Sequence, residues 1–341
     1  MNAPPRRVLV LMHPDLMPPR SRRGYTPQQI NVWKTEYDVI STLRRLGHEV
    51  RPLGVQDDVL PIRTAVHAWS PHIVFNLLEE FHGDALYDHH IVSYLELLQV
   101  PYTGNSPRGL VLSRDKALAK KIISYHGIRV PGFAVVPRGQ RARLPEHLTF
   151  PLIVKSLVEH ASFGISSASV VKTERTLADR VAYVHHRLAT DAIVEEYVAG
   201  RELYVGVIGN RRPQVLPIWE LLFENLPANM PPIATEKVKH DTDAQARWGI
   251  FQHPAEDLPP KLVKQVQQSC RQIYQALELE GYARIDFRLR ADGALFFLEA
   301  NPNPEIARCE EFASSAAYAG TSYPRLLQKI LNLGLRRHRD G

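Results

Sequence analysis

The chain has 341 residues, enough for two or three domains and a sizeable core. At 44% hydrophobic and 23% charged it has a globular composition, which excludes a disordered or fibrous chain. Its 42 basic and 36 acidic residues leave a mild excess of +6 that would suit an anionic ligand, but no nucleic-acid-binding motif accompanies it. Two cysteines, Cys270 and Cys309, make no disulfide framework and point to a reducing compartment. The apolar run 8–12 is too short for a signal peptide, and no run approaches the roughly 20 residues that span a bilayer. A cytoplasmic protein is expected, without nucleic-acid or membrane partners.

A strand at 8–12 leads into a Pro/Arg-rich loop, then a helix around 32–46 that stops at Gly47. Strands follow at 49–53 and 73–77, and a helix from about 84 to 98. Alternating strands and helices with short loops predict a doubly wound parallel sheet over residues 1–112. On the last of these helices, Asp88-His89-His90 are adjacent and diverge by about 100°, so they read as an exposed face rather than a chelate. A Lys-rich helix at 114–126 opens a second, α+β unit over 113–196, with strands at 132–136, 152–156, 167–171 and 191–196 and a helix near 177–188. A third unit, 197–341, has strands at 203–209 and 214–221, a polar Pro-rich stretch to about 258, a helix at 259–278, a hairpin, and a last helix at 324–333.

The hairpin is the most informative segment. Residues 283–290 and 295–301 alternate polar and apolar on either side of Asp292-Gly293, a strong turn signal. A two-residue loop there sets Asp286 opposite Glu299 and Arg284 opposite Asn301 on one side of the ribbon. Ile285, Phe287, Leu289, Phe296 and Leu298 then form the core face. Carboxylates opposed across a ladder, about 5 Å apart, repel. Either Arg284 and Arg288 neutralise them on a solvated face, or a hard cation lies between them. Two carboxylates and an amide oxygen are donors that Mg²⁺ accepts, with phosphate oxygens completing its shell.

Six segments in order resemble the ATP-grasp superfamily, and within it the D-alanine–D-alanine ligases and related carboxylate–amine ligases. They are Val100-Pro101-Tyr102-Thr103-Gly104, Asp115-Lys116, Phe150-Pro151-Leu152-Ile153-Val154-Lys155, Val194-Glu195-Glu196-Tyr197-Val198-Ala199-Gly200-Arg201-Glu202, Ala283-Arg284-Ile285-Asp286-Phe287 and Leu298-Glu299-Ala300-Asn301. The resemblance implies an α/β and α+β protein of ATP-grasp fold, with an N-terminal doubly wound domain and two α+β units sandwiching ATP. It implies a ligase that turns a carboxylate into an acyl phosphate, which an amine attacks through a tetrahedral intermediate.

The resemblance also implies roles. Asp286, Glu299 and Asn301 would hold two Mg²⁺ ions, with Mn²⁺ as a substitute, across the β- and γ-phosphates. Lys116 and Lys155 would contact the α- and β-phosphates. Ser162 and Gly164 belong to a loop that would cover phosphates with backbone N–H groups. In Glu195-Glu196-Tyr197-Val198, Glu195 would receive the adenine amino group and Val198 would offer its backbone to the ring edge. Glu202 would take the ribose hydroxyls, and Lys237 or Lys239, the latter the better match, would contact the nucleotide. Arg284 would stabilise the oxyanion of the intermediate.

The departures fall at the substrate end. Ala161 stands where the ligases carry a hydroxyl, and the loop after the first strand, with Arg20, Arg22 and Arg23, is basic rather than acidic. After Asn301 the chain has Glu305 in place of a glycine, and Arg308 becomes a candidate carboxylate clamp. Arg22, Arg23, Glu305 and Arg308 are therefore the candidate substrate residues. The expected partners are small amino acid or peptide substrates, with a homodimer allowed. Authentic D-alanine–D-alanine ligation and a catalytically silent nucleotide-binding module are the rival readings.

Overall fold

The computed structural model describes residues 4–159, 162–228 and 230–340, without the side chains of 239, 240, 242 and 338–340. The first unit contains β1 (Arg7–Met12), α1 (Pro27–Val32), α2 (Lys34–Arg45), β2 (Glu49–Gly54), α3 (Leu60–Trp69), β3 (Ile73–Asn76), α4 (Asp88–Leu97) and α5 (Pro107–Arg114). Its strands pair in the order β2-β1-β3, all parallel, and a parallel bridge from Val74 to Tyr102 extends the edge. Val8, Val10 and Met12 face a core shared with α2, while Leu9 and Leu11 face α3 and α4. A parallel sheet covered on both sides needs apolar residues at every position, and β1 supplies them.

The anticipated helix at 114–126 is present from residue 116, and a separate helix, α5, ends just before it at Arg114. Asp115 separates the two, and its carboxylate accepts the N–H groups of Ala117 and Leu118, both at 2.9 Å, to cap α6 (Lys116–Tyr125). Asp88 corrects the exposed-face reading, because it is buried and accepts from Arg114.

The second sheet holds β4 (Phe133–Val136), β5 (Leu152–Ser156), β6 (Val170–Val171) and β7 (Ala192–Glu196), ordered β4-β7-β5-β6 and antiparallel, with α7 (Glu174–Tyr183) packed on it. The third unit has β8 (Arg201–Ile208), β9 (Gln214–Phe223), α8 (Glu236–His240), α9 (Thr242–Trp248), β10 (Ile250–Pro254), α10 (Pro260–Ala276), β11 (Tyr282–Leu289), β12 (Leu295–Pro302), α11 (Glu311–Tyr318) and α12 (Tyr323–Asp340). Its antiparallel sheet runs β10-β9-β8-β11-β12. The stretch expected to be irregular before 258 thus contains two short helices and an edge strand. From α12, Leu326, Leu327, Ile330 and Leu331 leave this sheet and pack into the core under β1 and β3.

The hairpin differs from expectation in a way that matters. Asp286 pairs with Glu299 and Arg284 with Asn301, but Phe287 pairs with Phe297 and Leu289 with Leu295. The loop has three residues, closed by the Arg290 N–H on the Ala294 carbonyl at 2.9 Å, with Gly293 at φ +83° in the left-handed conformation that such loops place at their end. Leu298 is the extra residue of a bulge that restores the register of the Asp286 end. The core face is therefore Ile285, Phe287, Leu289, Leu295, Phe297 and Ala300, while Phe296 and Leu298 are only half-buried. A one-residue slip exchanges the two faces of a strand, and the bulge confines that slip to the turn end.

Candidate active site

Helix α6 presents Lys116 and Lys120, four residues apart and so on one face, to two sheets at once. Lys116 donates to the Glu159 carbonyl and lies 3.6 Å from a Glu299 oxygen. Lys155, on β5, lies 3.1 Å from Glu195 on neighbouring β7. The other Glu195 oxygen is 3.3 Å from Lys120, whose ammonium also donates to the Leu298 carbonyl. Burial alone would raise Glu195, but Lys120 and Lys155 outweigh it and hold the carboxylate below its ordinary range. Burial pushes the Lys120 ammonium down to about 8, against the opposing pull of Glu195. Lys116 is also lowered by burial, whereas at Lys155 the carboxylates of Glu195 and Glu299 overcome burial and raise it.

On the hairpin, Asp286 and Asn301 are buried and Glu299 is partly open. Arg284 binds both oxygens of Asp286, its third bond goes to Glu311, and its guanidinium lies 4.8 Å from the Tyr204 ring centroid. The Asn301 side chain donates to Asp286 at 3.0 Å. These three donors fit a hard cation that receives its remaining oxygens from a phosphate, because two carboxylates and one amide leave half of an octahedron open. Among the described residues no group of three or more His, Cys, Asp or Glu could hold a metal ion by itself. Arg288 pairs with Glu202 at 2.6 Å, and Tyr204 donates to the other Glu202 oxygen at 2.9 Å.

The remaining nucleotide candidates lie around this network. Glu196 accepts the Gly132 N–H at 2.9 Å, and the Tyr197 N–H goes to the Pro151 carbonyl, with Val198 next in the loop to β8. Ser162 and Gly164 both have positive φ, as a turned loop requires, and the Gly164 N–H donates to Glu236 at 2.9 Å. Ala161 lies outside the described residues, and so does the side chain of Lys239. Lys237 stacks 5.3 Å over the Trp248 ring.

At the substrate end, three of the four candidates meet on α2. Arg22 donates to Asp38 at 2.6 Å and lies over the Tyr37 ring. Arg308 donates its N–H to the same Asp38 and its guanidinium to Thr42. Glu305 accepts from Lys34 and Thr35 at the start of that helix. Arg23 is exposed and does not join them. Sequence reasoning missed Glu36, which is buried beside Glu79 and Glu305. Burial, reinforced by the carboxylates of Glu79 and Glu305, pushes Glu36 up to about 7. It also missed Lys120, for which the four-residue spacing from Lys116 was the available signal.

Comparison with known proteins gives this network a context. Residues 122–332 match the family described as the D-ala D-ala ligase C-terminus. The chain belongs to the D-alanine–D-alanine ligase family. A D-alanine–D-alanine ligase of Desulforudis audaxviator is 31% identical over 307 residues, covering 88% of this chain and 92% of the relative. An uncharacterized protein, y4sG, of Sinorhizobium fredii is 32% identical and covers 88% of this chain and 87% of its own length. The crystal structure of a D-alanine–D-alanine ligase from Bacillus anthracis complexed with ATP superposes with TM-score 0.76 at 22% identity, covering 98% of this chain and 99% of that one. This member of the D-alanine–D-alanine ligase family has the ATP-grasp fold, and it is an ATP-dependent carboxylate–amine ligase. None of its described helices is long and apolar enough to cross a membrane.

Proposed function

We propose that the chain is an ADP-forming ligase that activates the carboxylate of an amino acid or small peptide as an acyl phosphate and joins it to an amine. The observation that carries this reading is the opposition of Asp286 and Glu299, flanked by Asn301 and Arg284, in one network with Lys116, Lys155 and Glu195. Asp286, Glu299 and Asn301 would hold two Mg²⁺ ions, or Mn²⁺ in their place. Bound there with the triphosphate, such ions supply charge neutralisation at the transferring phosphoryl group. Lys116 and Lys155 bind the α- and β-phosphates as point charges, and the loop of Ser162 and Gly164 covers them. Glu195, Glu196, Tyr197 and Val198 line the adenine, Glu202 takes the ribose hydroxyls, and Lys239 approaches the nucleotide. A guanidinium has five N–H groups, so the three bonds Arg284 makes to Asp286 and Glu311 leave it donors for a tetrahedral oxyanion.

The substrate reading rests on the meeting of Arg22, Glu305 and Arg308 at α2, with Arg23 in the adjacent loop. These residues would grip a substrate with a free carboxylate or extra negative charge by bidentate guanidinium contacts. The second reading is D-alanine–D-alanine ligation itself, which the names of the relatives support and which Ala161 and the basic loop oppose. A panel of amino acids and dipeptides, scored for amine-dependent ADP release, separates them. Rapid D-alanyl-D-alanine synthesis from D-alanine alone would establish the second reading. ATP turnover indifferent to every carboxylate and amine would remove both and leave a silent nucleotide-binding module. A homodimer in the cytoplasm completes the proposal, and sedimentation of the full chain tests the dimer.

A further inference from the structure

Lys120 is fully buried, although a lysine is among the residues least often enclosed. Its ammonium has two partners from different sheets. One is the Leu298 carbonyl on β12, and the other is Glu195 on β7, 3.3 Å away. Its charge also lies 5.6 Å from the centroid of the Phe297 ring. Leu298 is the extra residue of the hairpin bulge, and a bulged residue is left outside the regular ladder. A buried carbonyl without a partner is costly, so the Lys120 bond removes the main penalty of bulging at that point.

The consequences converge on the site. Without the bulge the pairing of the turn end, Phe287 with Phe297, would continue and Asp286 would face Leu298 rather than Glu299. Glu195, in turn, positions Lys155 at 3.1 Å. One ammonium thus touches both the residue that sets the carboxylate register and the carboxylate that sets a phosphate-binding lysine. Lys116, one turn earlier on α6, reaches Glu299 itself. Helix α6 is a bracket between the two sheets, and Lys120 is its inner bolt.

We infer that Lys120 is a positioning residue, which holds Asp286 opposite Glu299 through Leu298 and aligns Lys155 through Glu195, without itself touching nucleotide or metal. The inference rests on the proposed cation role of Asp286 and Glu299. It extends that role to a residue whose loss weakens cation binding at a distance.

The test uses the full-length protein with Mn²⁺ and ADP as probes, and free Mn²⁺ is read by electron paramagnetic resonance at a temperature well below melting. Lys120→Met should weaken Mn²⁺ binding by about 10- to 100-fold, the range for lost outer partners of metal ligands, while Lys120→Arg stays within about fivefold of wild type. A merely structural lysine would lower the melting temperature and leave Mn²⁺ affinity unchanged, and that result for Lys120→Met overturns the inference. If Lys120→Met does not fold, Lys120→Gln, which keeps an N–H donor without the charge, takes its place. Mn²⁺ binding weakened about tenfold or more in that variant supports positioning, and unchanged binding overturns it. Asp286→Asn is measured beside them. Unchanged Mn²⁺ binding in that variant removes the cation assignment as a whole. Loss there with none in Lys120→Met removes only the positioning role.

Discussion

Arg284 holds both oxygens of Asp286, with Nε at 2.7 Å from one and Nη2 at 2.8 Å from the other. This fork ties an arginine proposed to serve the reaction intermediate to a carboxylate proposed to serve the cation. Burial would lower Arg284, but Asp286 and Glu311 reverse that effect and keep the guanidinium charged well beyond any working pH. Arg284→Met is expected to lower kcat by about 10² to 10³, the usual result of removing an oxyanion donor, with little change in nucleotide affinity. If Arg284 only neutralises Asp286, its removal should instead tighten Mg²⁺ binding and leave kcat nearly unchanged. A large rise in the ATP dissociation constant would make it a phosphate clamp.

Asp286→Asn and Glu299→Gln should each abolish ADP formation and weaken Mg·nucleotide binding. Their stabilities should diverge. Asp286 is buried in a forked ion pair, and loss of one partner of such a pair costs about 3 kcal/mol or more. Glu299 is less enclosed and lies 3.6 Å from Lys116 without a forked pair, so Glu299→Gln should cost less than Asp286→Asn. Thermal melting and ADP release of both variants check this. Wild-type turnover of either at saturating Mg²⁺ would sink the cation assignment.

Glu36 supplies a pH dependence. Burial raises its carboxyl from about 4.5 to about 7 in the folded chain. Between those values the folded state holds a proton that the unfolded state has released. Stability from this group is therefore fully present below about pH 4.5 and is lost as pH rises through about 7. Glu36→Gln should flatten that part of the profile and stabilise the protein at pH 8 by on the order of 2–3 kcal/mol. Denaturant melts of both proteins between pH 5 and pH 8 measure it. Parallel wild-type and variant profiles would show that Glu36 does not titrate in this range.

Arg22→Ala is expected to raise KM for the activated substrate while KM for ATP stays nearly unchanged. Arg22 is anchored by Asp38 and stacked on Tyr37, whereas Arg23 is exposed, so Arg23→Ala should have the smaller effect. A KM for ATP that moves with either substitution would place this loop on the nucleotide rather than the substrate.

Much of this protein is legible in one dimension because its signals are local. Period-two alternation around an Asp-Gly turn places Asp286 opposite Glu299 because a two-residue loop gives the same register there as the three-residue loop and the bulge do together, and the parallel sheet follows from apolar runs such as 8–12 between helical patterns. The same local logic misread the hairpin's core face, because it assumed a regular ladder from turn to site. The bulge at Leu298 depends on a partner for its carbonyl, and that partner, Lys120, lies 178 residues away. The burial of Glu195 between Lys120 and Lys155 was hidden for the same reason. Helices α8 and α9 and strand β10 escaped notice because their stretch is short, polar and Pro-rich, and β10 exists only by pairing with β9. Helix α12 was visible from its periodicity, but nothing in that periodicity says that its apolar face crosses back to the first sheet. Which residues alternate is written in the sequence. Which distant charge enters a buried gap is decided only when sheets close on a helix and desolvation makes every unpaired polar group costly.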